Sequence, residues 1–262
     1  MLLDSPSMQF EKNLESIDGM SPKLTALAVP AVSVLKKIEE AEKRSGRVPG
    51  SVTLLAASKT RSAEALIPIL NFGILHFGEN YVQEASKKID RLRVLAPNRE
   101  VHWHFIGALQ TNKSKAVVGR FETIQSVDRI ELASALDSRA KEAGITQNIL
   151  LQIKLGDEPS KGGVPVADAP KLIDEILEFK NIRLGGVMSL PPIEAEAEGS
   201  RKYFAQLREL RLQWQKFISP ESGSFSQLSM GTTHDFEVAI EEGATMVRVG
   251  TAIFGSREIS GS

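Results

Sequence analysis

No cysteine occurs in the 262 residues, which excludes disulfides, thiolate zinc sites and thiol nucleophiles. That absence agrees with a cytoplasmic location. The chain also lacks an excess of either charge: its net charge of −1 gives no concentrated positive surface, so neither a nucleic-acid nor a membrane partner is expected. No apolar run approaches the length of a membrane span. The first residues, MLLDSPSMQFEKNLES, lack a basic start followed by an apolar core, so no secretory signal is expected. What is present is ordinary for a soluble globular protein, with 42% hydrophobic and 25% charged residues. The length exceeds that of a typical single domain but suits an α/β barrel, where about 250 residues form one domain.

Short β-type runs alternate with longer amphipathic stretches. The runs are Val52–Ser58, Ile74–Phe77, Val101–Ile106, Thr123–Val127, Ile149–Leu155, Arg183–Met188, Gln227–Ser229 and Met246–Val249. Most are followed by Gly, Asn, Ser or Asp, as strand ends should be. Between them, Ala63–Phe72, Val166–Phe179 and Tyr203–Phe217 carry apolar residues at helical spacing. Helical crossovers between strands require a parallel sheet. Eight such strands predict a closed (β/α)8 barrel, with an open doubly wound sheet as the alternative. A further helix, Ala31–Arg47, is expected to plug the bottom of the barrel or lie along its side. Residues 1–28 read as an extension, 29–257 as the barrel and 258–262 as a frayed tail.

Chemistry in such a barrel sits at the C-terminal ends of the strands, often with a phosphate held after strands 7 and 8. The first strand ends in Ala57-Ser58-Lys59-Thr60. Desolvating a lysine at that mouth frees its amine for Schiff-base chemistry, whereas a lysine snorkelling to the rim is inert. The seventh strand ends in Ser229-Met230-Gly231-Thr232-Thr233-His234-Asp235, leading into a helix at Phe236–Glu241. Gly231 permits close backbone approach, and Thr232 or Thr233 is expected to cap that helix, forming a phosphate cradle. The eighth strand ends in Val249-Gly250-Thr251. Together these ends predict a phosphorylated ligand. Arg248 shares an alternation phase with Met246 and Gly250 and should point into the barrel, where it needs an acceptor. A carboxylate such as Glu79 is one candidate for that partner.

Other features invite functions they do not support. His102 and His104 share one strand face, but no third metal ligand is recognisable and cysteine is absent. Lys113 and Lys115 read as a solvated helix face rather than an RNA contact. Glu194, Glu196 and Glu198 read as a mobile, solvated loop, placed where a lid would lie. Lys161 reads as a solvated loop lysine.

The motifs Ala57-Ser58-Lys59-Thr60, Phe77-Gly78-Glu79-Asn80-Tyr81-Val82-Gln83-Glu84, Trp103–Gly107, Leu109–Lys113, Ser229-Met230-Gly231 and Met246–Gly255 resemble the pyridoxal phosphate homeostasis proteins. The likeness runs in order from about residue 30 to 257. It implies a barrel similar to the N-terminal domain of alanine racemase, binding pyridoxal 5'-phosphate (PLP) as a Schiff base on Lys59. By position it implies that Ser229, Gly231, Gly250 and Thr251 hold the phosphate, that Asn80 lies near the cofactor, and that Arg248 faces the pyridine nitrogen. A permanently charged arginine there would keep that nitrogen unprotonated and the ring a poor electron sink. Thr232-Thr233-His234, Ser62 and Ala108 depart from the family pattern.

The resemblance implies a cofactor-binding protein that buffers or delivers PLP, with PLP-dependent apo-enzymes as recipients, and no catalytic turnover of its own. A monomer is expected. An alanine racemase-like enzyme is the first alternative. Racemases of that type take a tyrosine from a second domain, whereas the tyrosines here are Tyr81 and Tyr203 and only 11 residues follow Thr251. A sugar-phosphate enzyme using Lys59 as a Schiff-base lysine is the second alternative.

Overall fold

The computed structural model describes residues 22–156, 158, 161–219 and 224–255. The expected frayed tail lies outside them, as do residues 1–21 of the expected extension. The remainder of that stretch belongs to a helix.

Eight parallel strands form the sheet: β1 (Thr53–Ala57), β2 (His76–Glu79), β3 (His102–Phe105), β4 (Thr123–Val127), β5 (Gln147–Lys154), β6 (Ile182–Ser189), β7 (Gln227–Thr232) and β8 (Met246–Val249). Each pairs with the next in sequence, and β8 pairs with β1, so the sheet closes into a barrel. An additional two-residue strand, Val164–Pro165, lies on β5. The open-sheet alternative is thereby excluded. Closure leaves no unpaired barrel edge, which a parallel sheet of this length would otherwise have to cover.

Alternation divides each strand between two environments. Leu54, Ala56, Phe77, Phe105, Ile124, Val247 and Val249 are buried against the surrounding helices as part of the main core. Leu55, Ile106 and Met246, with Ala57 packed on them, form a separate small cluster on the other side of the sheet, inside the barrel. Met246 therefore points inward and Arg248, two residues on, shares its phase.

The helix preceding the barrel, α1 (Pro22–Arg44), starts before the expected Ala31. Pro30 lies within it and does not end it. The helix runs along the flank of the barrel and does not plug it. Arg44 donates to Glu241 Oε1 at 2.8 Å and Glu237 Oε2 at 3.0 Å on a neighbouring helix. Near its end, the buried Glu42 carboxylate accepts from Gly50 N, Val52 N and Ser51 Oγ, tying α1 to the residues entering β1.

Only β4 and β8 have the bounds expected from the sequence; the shifts at β2 and β7 bear on the site. β2 begins at His76, because Ile74 N still donates to Ile69 O and so completes the preceding helix. β7 runs on to Thr232, past Ser229. The acidic stretch after β6 is also anchored: Ala197–Ser200 forms a 3-10 turn, with Glu198 paired to Arg201 and Glu194 to Lys202 at 3.0 Å.

Candidate functional site

The turn following β1 is held from behind. Ser58 Oγ donates to Glu79 Oε1 at 2.5 Å. The buried Lys88, on helix α3 (Val82–Leu95; α2 being Ala63–Asn71), donates to Glu79 Oε1 and to Ser58 O, each at 2.6 Å. It also reaches Glu84 Oε1, 2.9 Å away, which in turn accepts from Thr60 N at 2.6 Å. Thr60 adopts a left-handed backbone (φ 66°), a conformation that β-branched residues avoid. Strain of this kind persists only where surrounding contacts impose it. Glu79 therefore partners Lys88 and Ser58, not Arg248, and the ion pair for which Glu79 was one candidate does not form. The reason is alternation: Glu79 faces the helices and Arg248 faces the barrel interior. Sequence reasoning did not single out Lys88 or Glu84.

Strand register brings most of the candidate residues to one end of the barrel. Leu55 is level with Arg248 and Ala56 with Val249, which puts Gly250 beside Ala57. A Cβ on Gly250 would stand 3.2 Å from Ala57 O. Lys59 is half-buried two residues beyond Ala57, on the turn that follows β1. Among the described residues, no partner engages its ammonium. On the other side of β1, Asn80 follows β2. Its Oδ1 is buried and, among the described residues, makes no hydrogen bond. The loop after β3 presses on it so closely that a Cβ on Gly107 would fall 2.1 Å from Asn80 O.

At the end of β7, Gly231 has φ +88°, and a Cβ there would meet Ala239 Cβ at 2.5 Å. Only glycine fits this position, which lets the chain turn tightly over helix α8 (Phe236–Glu241; α4 to α7 being Ser114–Val117, Ile130–Ala143, Ala169–Leu177 and Arg201–Gln215). Neither threonine caps α8, contrary to expectation. Asp235 is the N-cap residue, and its carboxylate turns back to accept from Thr232 N at 2.7 Å. Thr233 Oγ1 instead accepts from Gly250 N at 3.2 Å, joining the two loops. A cavity of about 620 Å³ opens at this end, lined in part by Asn80, Gly107, Arg129, Lys161, Gly231 and Thr232. Of the seven candidate residues, Asn80 and Gly231 line it. Lys161 is no free loop lysine: it pairs with Glu158 at 3.2 Å and with Pro191 O.

Arg248 is buried at 4% exposure. Its Nη1 donates to Ser229 Oγ at 2.6 Å and its Nη2 to Ser189 O at 2.7 Å, both neutral acceptors. Among the described residues it forms no ion pair. Burial pushes its pKa down to about 10, partly offset by the nearby Asp235 carboxylate, so the guanidinium stays charged at neutral pH. Ser229 lies one layer deeper than the rim, level with Met246, and its hydroxyl is engaged by Arg248 and Gln125.

Below Arg248 the barrel interior remains polar. Gln125 joins Ser229 to His104, which lies 3.0 Å from His76 (Nε2 to Nδ1). His76 is a third imidazole that the sequence does not associate with His102 and His104. The three nevertheless do not converge: among the described residues no group of His, Cys, Asp or Glu has the geometry of a metal site. Burial, reinforced by His76 and His102, pushes the His104 pKa down to about 3. A histidine unfolds to a pKa near 6.5, so below that pH the unfolded chain binds a proton that the folded one refuses. Stability carried by neutral His104 is complete above pH ~6.5 and is lost as the pH falls toward 3. Acidifying from pH 6.5 to 5 should therefore cost about 2 kcal/mol through this residue. Urea unfolding of wild type and His104→Asn at the two pH values checks this; equal acid sensitivity in both would count against it.

Comparison with known proteins agrees with this architecture. The family model described as alanine racemase, N-terminal domain, matches residues 35–258. The pyridoxal phosphate homeostasis protein of Aquifex aeolicus is 43% identical over 86% of this chain and 96% of its own length. That of Escherichia coli K12 is 38% identical, covering 87% and 95% respectively. The chain belongs to the family of pyridoxal phosphate homeostasis proteins. Among solved structures, PipY of Synechococcus elongatus PCC7942, determined with PLP bound, is similar with a TM-score of 0.73 and 34% identity, over 83% of this chain and 100% of that one. A Clostridium difficile alanine racemase shares the fold alone, at 14% identity and a TM-score of 0.61. This chain covers 60% of that longer protein and 86% of its own length is matched. Among the described residues, no helix is long and apolar enough to cross a membrane.

Proposed function

We propose that the protein binds PLP covalently through Lys59 and serves in PLP homeostasis, as the names of its relatives suggest. The observation that carries this reading is Arg248. Its guanidinium is buried at the barrel mouth, takes only neutral acceptors among the described residues, and keeps a further N–H on each terminal nitrogen. An aromatic ring nitrogen is an acceptor of the right kind for a donor that cannot give up its proton. The rest of the site fits the same group. Asn80 Oδ1 is a buried acceptor without a partner, and Gly231 and Gly250 leave backbone room where a Cβ would collide.

Bound PLP supplies an aldehyde for attachment to an amine and a ring that can draw electrons from the attached carbon. The residues divide the work of holding it. Lys59 offers an amine on a turn clamped by Glu79, Glu84 and Lys88. Gly231, Gly250 and Thr251 form the phosphate cradle at the ends of β7 and β8. Asn80 orients the ring from β2, and Arg248 donates to the ring nitrogen. We assign Ser229 to the support of Arg248, since its hydroxyl is spent there. An arginine that cannot act as an acid leaves the ring nitrogen without a proton, which favours storage over turnover. The proposal includes a monomer acting in the cytoplasm and handing PLP to apo-enzymes. The lack of cysteine and the near-zero net charge are compatible with that setting.

The test is the visible absorption of the purified protein before and after borohydride, with the reduced adduct located by peptide mass spectrometry. A yellow protein whose adduct maps to Lys59 is the expected result. A colourless protein that takes up no added PLP would overturn the reading and return the sugar-phosphate alternative.

A further inference from the structure

Barrel interiors are usually filled by layers of bulky branched side chains. Here a file of polar ones descends from the mouth: Arg248, Ser229, Gln125, His104 and His76. We propose that Gln125 and His104 are positioning residues for Arg248, holding its guanidinium through Ser229 so that its remaining N–H groups face the ring nitrogen of PLP. This inference rests on the cofactor reading above.

The argument lies in the direction of the hydrogen bonds. Arginine can only donate. Arg248 Nη1 therefore makes Ser229 Oγ an acceptor at 2.6 Å, and the single hydroxyl hydrogen of Ser229 goes to Gln125 Oε1, also at 2.6 Å. That contact fixes the carboxamide, turning Nε2 toward His104 Nδ1 at 3.3 Å and Met246 Sδ at 3.0 Å. His104 Nδ1 is then an acceptor, so its ring is neutral, carries its proton on Nε2 and donates to His76 Nδ1 at 3.0 Å. Burial independently keeps His104 neutral. His76 stacks on His102 with ring centroids 4.4 Å apart, and His102 bonds Glu122. Every link donates the same way, away from Arg248. Reversing one of them alone would set two donors or two acceptors face to face or leave the Ser229 hydrogen without Gln125, and the end at Arg248 cannot reverse. The guanidinium is thus held at Nη1 by side chains that never reach the mouth themselves, with the Ser189 carbonyl holding Nη2.

The inference is tested with the full-length protein and PLP. Gln125→Leu keeps the volume and removes both the acceptor for Ser229 and the donor to His104. It should still give a borohydride-stable adduct on Lys59. PLP affinity should fall by about tenfold, the scale of one buried hydrogen bond. The proportions of the absorption bands of bound PLP should also change, because the ring nitrogen loses a well-aimed donor. In an Arg248→Met background the same substitution should change neither quantity, since the residue acts through the arginine. Gln125→Met, more easily packed, is read by the same criteria should the leucine variant not fold. Wild-type affinity and spectrum in Gln125→Leu would overturn the inference. So would an equal loss in both backgrounds, which marks a packing role. If wild type itself forms no adduct on Lys59, the cofactor reading fails first and this inference falls with it.

Discussion

Lys59→Ala should abolish covalent PLP while leaving the barrel intact. The side chain is half-buried and, among the described residues, its ammonium has no partner, so its removal strands no buried donor or acceptor. The clamp behind it depends on the Ser58 carbonyl and hydroxyl and on the Thr60 backbone amide, none of which the substitution touches. The cost in stability should therefore stay within about 0.5 kcal/mol, as for an ordinary surface change. The loss of attachment should be complete, because Lys161, the lysine that lines the cavity, is held by Glu158 and Pro191 O. Borohydride treatment followed by peptide mass spectrometry measures one quantity and urea unfolding the other. Covalent PLP surviving in Lys59→Ala would falsify the attachment point.

Arg248→Glu is the second substitution with a large expected effect. A carboxylate accepts where the guanidinium donates, so it should favour a protonated ring nitrogen and make bound PLP a stronger electron sink. Any latent racemase or transaminase activity should rise by tenfold or more, equivalent to about 1.4 kcal/mol in the barrier. The change also has a structural cost. Ser229 Oγ and Ser189 O lose their donor, at about 1–3 kcal/mol for each buried group left unpaired. Asp235, whose charge now steadies the arginine, would instead repel the new carboxylate. Activity on alanine should be compared in samples matched for PLP on Lys59. Unchanged activity with the cofactor still attached would mean that Arg248 does not hold the ring's chemistry in check.

Much of the barrel is legible in the sequence because its strands are β-branched runs closed by turn residues. Lys59, Gly231, Gly250 and Thr251 stand out because each falls at such an end. Arg248 stands out because alternation with Met246 turns a charge inward. What cannot be read locally is the identity of the partners. Gln125 sits mid-strand in β4 with no motif around it, and meets Ser229 across 104 residues of sequence. His76 joins His104 from the start of another strand, 28 residues away. Lys88 looks like an exposed helix residue until the fold buries it against Glu79. Glu79, one candidate partner for Arg248, does not reach it for a related reason: both are buried, but on opposite sides of the sheet. Alternation could have separated them had the start of β2 been placed at His76.

The closure of β8 on β1 has a consequence for when the site comes into being. Lys59 emerges in synthesis well before Arg248, Gly250 and Thr251, and the two groups meet only where the ring closes. A nascent or partly unfolded chain therefore presents the lysine without the residues proposed to hold the phosphate and the ring. Cofactor capture would report that the barrel is complete, and a ligand spanning that seam would fasten the first strand to the last.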